Sequence, residues 1–214
     1  MAGLGMMDSG RGPRPEVRKY PLIKEEGPLR EEARYEYKLD QSSVILDIGA
    51  YQGKFAVGIF ERYRPIIHCF EPITQYFQEL RVNTRQTGAI LHNYGVGART
   101  ELVQISVDGD QSSVVFGSEQ YETVQIKSMS DIWAELGLST VDLVKINIEG
   151  MEYDLLDHIV ACGLHNSMRN LQIQFHQIPG YESRIATITE TLQKTHRQTY
   201  YWRLLWENWE LNTA

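Results

Sequence analysis

Only two of the 214 residues are cysteines, Cys69 and Cys162. That is too few for a disulfide framework or for a metal site of their own, and it suggests a reducing, cytoplasmic setting. Long apolar runs are also missing: no stretch approaches the roughly 18 residues needed to cross a bilayer. The opening residues, "MAGLGMMDSGRGPRPEVRK", lack the apolar middle of a secretory signal. Nor is there an excess of positive charge. With 21 Lys and Arg against 28 Asp and Glu, the formal net charge is −7. This excludes the basic surface of a dedicated nucleic-acid or anionic-membrane binder. No internal repeat stands out. What remains is an ordinary globular composition, 42% hydrophobic and 23% charged, long enough for one sizeable core.

Residues 1–40 carry eight basic and eight acidic side chains and few apolar ones. They are expected to form a tail leading into a short amphipathic helix around 29–37, either a solubilising arm or a lid over the site. Residues 41–214 are expected to form the folded domain. From Ser43 onward, short apolar runs alternate with helical patterns, the mark of an α/β fold with a doubly wound, mostly parallel sheet. "SVILDIG", "PIIHCFE" and "AILHNYGVG" read as the first three strands, with "GKFAVGIFERY" and "ITQYFQELRVNTRQ" as helices between them. Residues 101–127 alternate with period two around a DGD turn, which predicts an antiparallel insertion. A short helix over "SMSDIWAELG" takes Ser130 as its N-cap, and a later one covers Glu152–Cys162. "NLQIQFHQI" is a fifth strand, 183–196 a last helix, and "QTYYWRLLWENWELN" two antiparallel strands turning near Glu207–Asn208.

"LDIGAYQG" places Asp47, Gly49 and Gly53 between a strand and a helix. Glycines there let the backbone approach a ligand, and the helix points free N–H groups at it. The dinucleotide pattern G-x-G-x-x-G is absent, and an aspartate suits a cationic group better than a pyrophosphate. Glu71 ends the second strand, where a carboxylate can accept both hydroxyls of a ribose. A nucleoside with a positively charged tail is S-adenosylmethionine. On this reading Asp47→Ala abolishes cofactor binding and leaves the fold largely intact.

Two strands break the apolar rule. In "VKINIEG", Lys145, Asn147 and Glu149 share one face, and in "LQIQFH", Gln172, Gln174 and His176 do. Burying unpaired polar groups costs roughly 1–3 kcal/mol each. The two faces are therefore expected to floor a site at the carboxyl ends of adjacent strands, with Lys145 deeper and paired to a carboxylate.

The stretches "VILDIGAYQGKFA", "CFEPITQYFQELRVN", "NYGVGA" and "VDLVKINIEGMEYDLL" resemble, in order and spacing, the FkbM family of S-adenosylmethionine-dependent methyltransferases. The resemblance implies a class I Rossmann-like methyltransferase fold and O-methylation of hydroxyls on saccharides or secondary metabolites. It also implies that Asp47, Gly49, Ala50, Tyr51 and Gly53 flank the methionine part and that Glu71 and Pro72 meet the ribose. Asn93, Tyr94, Gly95 and Val96, in the stretch up to Gly97, would line the adenine. Many relatives resemble "KIDVEG", with an aspartate where this chain has Asn147, and carry a glutamate where it has Gln174.

An alcohol is a poor nucleophile until its proton begins to leave, so a general base is expected. His176 is the first candidate and Glu149 the second, or the group orienting the histidine, with Asn147 beside them. Magnesium held by Glu149 and a neighbour is disfavoured, because the two amides are poor ligands for a hard cation. The expected partner is a small-molecule or saccharide acceptor, with a homodimer through the aromatic C-terminus as a further reading. N-methylation, or a scaffold that binds S-adenosylmethionine without turnover, are the alternatives.

Overall fold

The computed structural model describes residues 28–107, 121–202 and 204–212. The DGD turn and most of the N-terminal tail lie outside them. Seven strands form the main sheet in the order β3-β2-β1-β7-β8-β10-β9. They are β1 (Val44–Ile48), β2 (Ile66–Phe70), β3 (Ile90–His92), β7 (Leu143–Ile146), β8 (Asn170–Ile173), β9 (His196–Trp202) and β10 (Trp206–Leu211). The five strands from β3 to β8 run parallel, β10 pairs antiparallel with β8, and β9 pairs antiparallel with β10. The central strands are buried on both faces, which explains their near-continuous apolar runs.

One face packs on α4 (Met129–Glu135), α5 (Glu152–Ala161) and α6 (Tyr181–Leu192), through Leu46, Ile48, Val144, Ile146, Leu171 and Ile173. The other packs on α2 (Lys54–Tyr63) and α3 (Thr74–Asn83), through Ile45, Ile67 and Leu143. A helix α1 (Pro28–Ala33) leads into residues 34–39, where Tyr35 joins the second core. A three-stranded sheet, β4-β6-β5, stands beside the main one. In it β5 (Glu101–Ser106) pairs antiparallel with β6 (Tyr121–Ser128), as the alternation predicts, and β4 (Gly95–Gly97) pairs parallel with β6.

The polar strand faces match expectation only in part: Lys145 is deep and paired to a carboxylate, as expected, but it and Gln172 belong to the interior. Lateral register puts Asp47, Lys145, Gln172, Asn208 and Tyr200 in one row across five strands, on the α2 side. All five are buried. The row is closed by the N-terminal segment: the Tyr37 hydroxyl lies 2.5 Å from Gln172 Nε2, 3.2 Å from the Tyr200 hydroxyl and 3.4 Å from Asn208 Oδ1. Gln172 also donates to the Arg34 carbonyl at 2.8 Å. Lys145 and Gln172 therefore belong to an interior polar network in which the Gln172 amide nitrogen is bonded twice, while its Oε1 has no hydrogen-bond partner among the described residues.

Several boundaries shift for local reasons. "AILHNYGVG" is two strands in two sheets, because the chain leaves the main sheet after His92. The cap of α4 is Ser128, whose hydroxyl accepts from the Asp131 N–H at 3.1 Å, and Ser130 lies inside the helix. The last reversal is at Leu204–Leu205, closed by the Leu205 N–H to the Trp202 carbonyl at 2.9 Å. Glu207 and Asn208, the expected turn, are buried mid-strand. Glu207 accepts from Trp209 Nε1 at 2.7 Å, so its polarity marks pairing within the sheet.

Candidate active site

Strands β7 and β8 end earlier than the alternation suggests, at Ile146 and Ile173, so Asn147, Glu149, Gln174 and His176 lie in the loops beyond them. This is the edge at which doubly wound sheets bind ligands. After β1 the chain turns sharply through Gly49 (φ 74°) and Tyr51 (φ 50°) into α2. A Cβ at position 49 would lie 1.9 Å from the Asn147 carbonyl oxygen, so only glycine fits between the two strand ends.

Glu71 fastens this turn to the next one. Its carboxyl accepts the Tyr51 N–H and the Ile73 N–H, each at 2.9 Å. Burial pushes it up to about 7, against the two N–H bonds that favour its charged form. A cleft opens alongside, lined by Gly49, Tyr51, Glu71, Pro72, Ile73, Tyr76, Gly95, Val96, Ile105, Ile126, Asn147, Ile148, Glu149 and Met151. The residue pattern and the family resemblance together anticipate eight of these residues. They miss the apolar wall of Ile73, Tyr76, Ile105 and Ile126, built by α3 and the small sheet. The alternating apolar face of that insertion was the available signal.

Other expected residues act from behind. Asp47 is fully buried and pairs with Lys145 Nζ at 3.0 Å, and neither carboxylate oxygen has a further hydrogen-bond donor among the described residues. Lys145 in turn donates to the Gly49 carbonyl at 2.6 Å. Asp47 thus holds the lysine that holds the glycine turn, and it does not line the cleft. Ala50 is buried in the α2 core, and Gly53 is the N-cap of α2. Asn93 Nδ2 donates to the carbonyls of Glu71 and Pro72 at 3.0 and 3.2 Å, and the Tyr94 hydroxyl meets His92 Nδ1 at 3.2 Å.

At the mouth, Glu149 takes φ 50°, a left-handed conformation uncommon for a residue with a side chain. Its carboxylate lies 3.2 Å from His176 Nε2. The other ring nitrogen, Nδ1, lies 3.2 Å from Glu152 Oε1. Burial disfavours the charged ring, but the bonds and charges of Glu149 and Glu152 outweigh it and raise His176 to about 9. Its ordinary value of 6.5, which suited it to a neutral-pH base, is lost. Glu149 lines the cleft, and His176 stands behind it. Among the described residues no group of three or more His, Cys, Asp or Glu side chains is arranged to hold a metal ion, and no helix is long and apolar enough to cross a membrane.

The cleft can hold a nucleoside with a cationic amino-acid tail. Its apolar wall suits a base, Glu71 suits ribose hydroxyls, and the buried Asn147 Oδ1, without a hydrogen-bond partner among the described residues, suits an ammonium donor. The profile of the methyltransferase FkbM domain matches residues 47–200. The chain belongs to the FkbM methyltransferase family. It is an S-adenosylmethionine-dependent methyltransferase with the class I Rossmann-like fold. No curated protein matches its sequence at a significant level. Among solved structures, an rRNA methylase from Streptococcus thermophilus superposes with a TM-score of 0.56 at 10% identity, over 86% of this chain and 95% of that one. A candidate methyltransferase from Streptococcus mutans, in complex with S-adenosylhomocysteine, gives 0.54 at 12% identity, over 86% and 96%. At such identities the likeness is one of fold. The FkbM match is the finding that carries the family.

Proposed function

We propose that this FkbM protein transfers a methyl group to a hydroxyl of a neutral, saccharide-like acceptor, with Glu149 and His176 taking the proton. The observation that carries the reading is the order of groups at the mouth: Glu149 on the cleft, bonded at 3.2 Å to His176 behind it. When bound, S-adenosylmethionine supplies an electrophilic methyl group on a sulfonium. Gly49, Tyr51, Glu71, Val96 and Asn147 would hold it, and the wall from α3 and the small sheet would exclude water from one side. The protein's remaining task is to place one acceptor oxygen in line and accept its proton.

Glu149 is the group that meets the acceptor hydroxyl. As the O–H bond breaks, its proton passes to the Glu149 carboxylate and from there to the neutral imidazole of His176. His176 is therefore a relay partner whose neutral form is the competent one, a revision of its expected role as the direct base. Two free cysteines, Cys69 buried and Cys162 exposed, fit a cytoplasmic setting. The net charge of −7 and the Glu149 carboxylate at the mouth favour a neutral acceptor over a nucleic acid.

The test is methyl transfer from S-adenosylmethionine to a panel of mono- and oligosaccharides, polyols, amines and RNA, followed across pH. The expected result is turnover on a neutral hydroxyl acceptor. Its kcat/KM should rise through the neutral range and level off above about pH 9, as His176 loses its proton. Turnover confined to amines or to RNA would overturn the acceptor class. A rate that falls as pH rises towards 9 would overturn the relay.

A further inference from the structure

The relay has a third member that the family reading leaves idle. Glu152 is the first residue of α5 and is fully buried. A buried carboxylate is expensive unless several donors meet it. Here three do. Its Oε2 accepts the Gly150 N–H at 2.7 Å. Its Oε1 accepts the His176 N–H at 2.7 Å and lies 3.2 Å from His176 Nδ1. Residue 150 belongs to the loop after β7 and residue 176 to the loop after β8, so one side chain ties together the two loops that carry Glu149 and His176. The neighbouring residue completes the clamp: the Tyr153 hydroxyl donates to the His176 carbonyl at 2.6 Å.

This geometry fixes His176 in two ways and the turn of Glu149 in one. The main chain of His176 is held from both sides by the first turn of α5. The ring's Nδ1 is engaged, which leaves Nε2 to face Glu149. The Gly150 bond also anchors the turn on which Glu149 adopts φ 50°, a conformation that persists only where the surroundings enforce it.

We propose that Glu152 is a positioning residue for methyl transfer: by binding Gly150 and His176 together it orients the imidazole towards Glu149 and sets the pH at which the pair can accept a proton. The proposal rests on the Glu149–His176 relay for its catalytic meaning, but its structural content is independent of any acceptor. The charged and titratable groups packed around the ring are Glu149 from the loop after β7 and Glu152 from α5. Tyr153 follows on the same helix, with the Arg184 guanidinium of α6 over its ring at 5.3 Å. Removing one of two flanking carboxylates from an imidazolium lowers its pKa by roughly one unit or more.

The experiment is an NMR titration of the His176 ring nitrogens in the full-length protein without cofactor, in wild type and in Glu152→Gln, with His176→Gln used to assign the signals. The wild-type ring is expected to titrate near 9, and in Glu152→Gln its midpoint should drop by about one unit or more. The alkaline plateau of kcat should move down in pH by the same amount, with KM for S-adenosylmethionine unchanged. A folded Glu152→Gln protein whose ring still titrates with the wild-type midpoint would overturn the proposal. If that variant does not fold, the wild-type curve alone decides, since a ring titrating near 6.5 would show that the flanking carboxylates do not outweigh its burial and so do not set its proton affinity. Failure of every acceptor to be methylated, with the ring behaving as expected, would sink the relay and leave the clamp standing.

Discussion

Replacing Asp47 by alanine is expected to lower the unfolding free energy by about 3–5 kcal/mol, because it leaves a buried ammonium without its counter-ion. In a domain of this size that corresponds to a fall in Tm on the order of 10 °C. Lys145 is only 4% exposed, so water cannot replace the lost carboxylate. Its remaining partners are the carbonyls of Ile48, at 3.5 Å, and of Gly49, at 2.6 Å, the second of which holds the glycine turn. Loss of cofactor affinity would then follow from a loosened turn. The double variant Asp47→Leu with Lys145→Met removes both charges and should recover most of the stability, as buried pairs commonly allow. Urea denaturation of the three proteins checks this. An Asp47→Ala protein with wild-type stability and no cofactor affinity would instead place the aspartate in direct contact with ligand.

Glu149→Gln is expected to reduce kcat by about 100-fold or more while changing S-adenosylhomocysteine affinity little. The amide keeps the shape and can still meet His176 Nε2, but it cannot take a proton from an acceptor hydroxyl. Single-turnover transfer to a hydroxyl acceptor is the measurement, because it isolates chemistry from product release. A kcat within about threefold of wild type would remove Glu149 from proton transfer, and positioning of the acceptor alone would have to account for the rate.

Much of the fold was legible because period and punctuation agree. β1, α2 and β2 follow from apolar runs bounded by Gly49, Gly53 and Pro65, and the antiparallel insertion follows from its alternation. The glycine turn and Glu71 were legible for the same reason, since their spacing follows from strand–turn–helix geometry. Depth was legible only at Lys145, which was expected to be deeper and paired to a carboxylate and does pair with Asp47. Asp47 and Lys145 have the residue types of a site but face the α2 side, and only the lateral register of five strands shows that they belong to an interior row with Gln172, Asn208 and Tyr200.

Strand ends were equally hidden. A period-two pattern running through Asn147 and Glu149 cannot show that the sheet stops at Ile146 and that Glu149 turns into the left-handed region. His176 was found for a reason that does not hold, its ordinary pKa. The two carboxylates that raise it come from different loops. Glu152 looked like a helix-opening residue, a place where acidic side chains are favoured anyway. Its second role depends on a contact across 24 residues of sequence.

The cleft beside Gly49 and Glu71 is expected to bind the methyl donor. Isothermal titration of the purified protein with S-adenosylhomocysteine tests it most directly, with Gly95→Trp as the control. Gly95 is buried, lines the cleft, and a Cβ there already meets Ile126 at 2.5 Å. Micromolar, one-to-one binding by the wild-type protein and none by the filled variant is expected. No heat of binding from the wild-type protein, or equal binding by both, would contradict it.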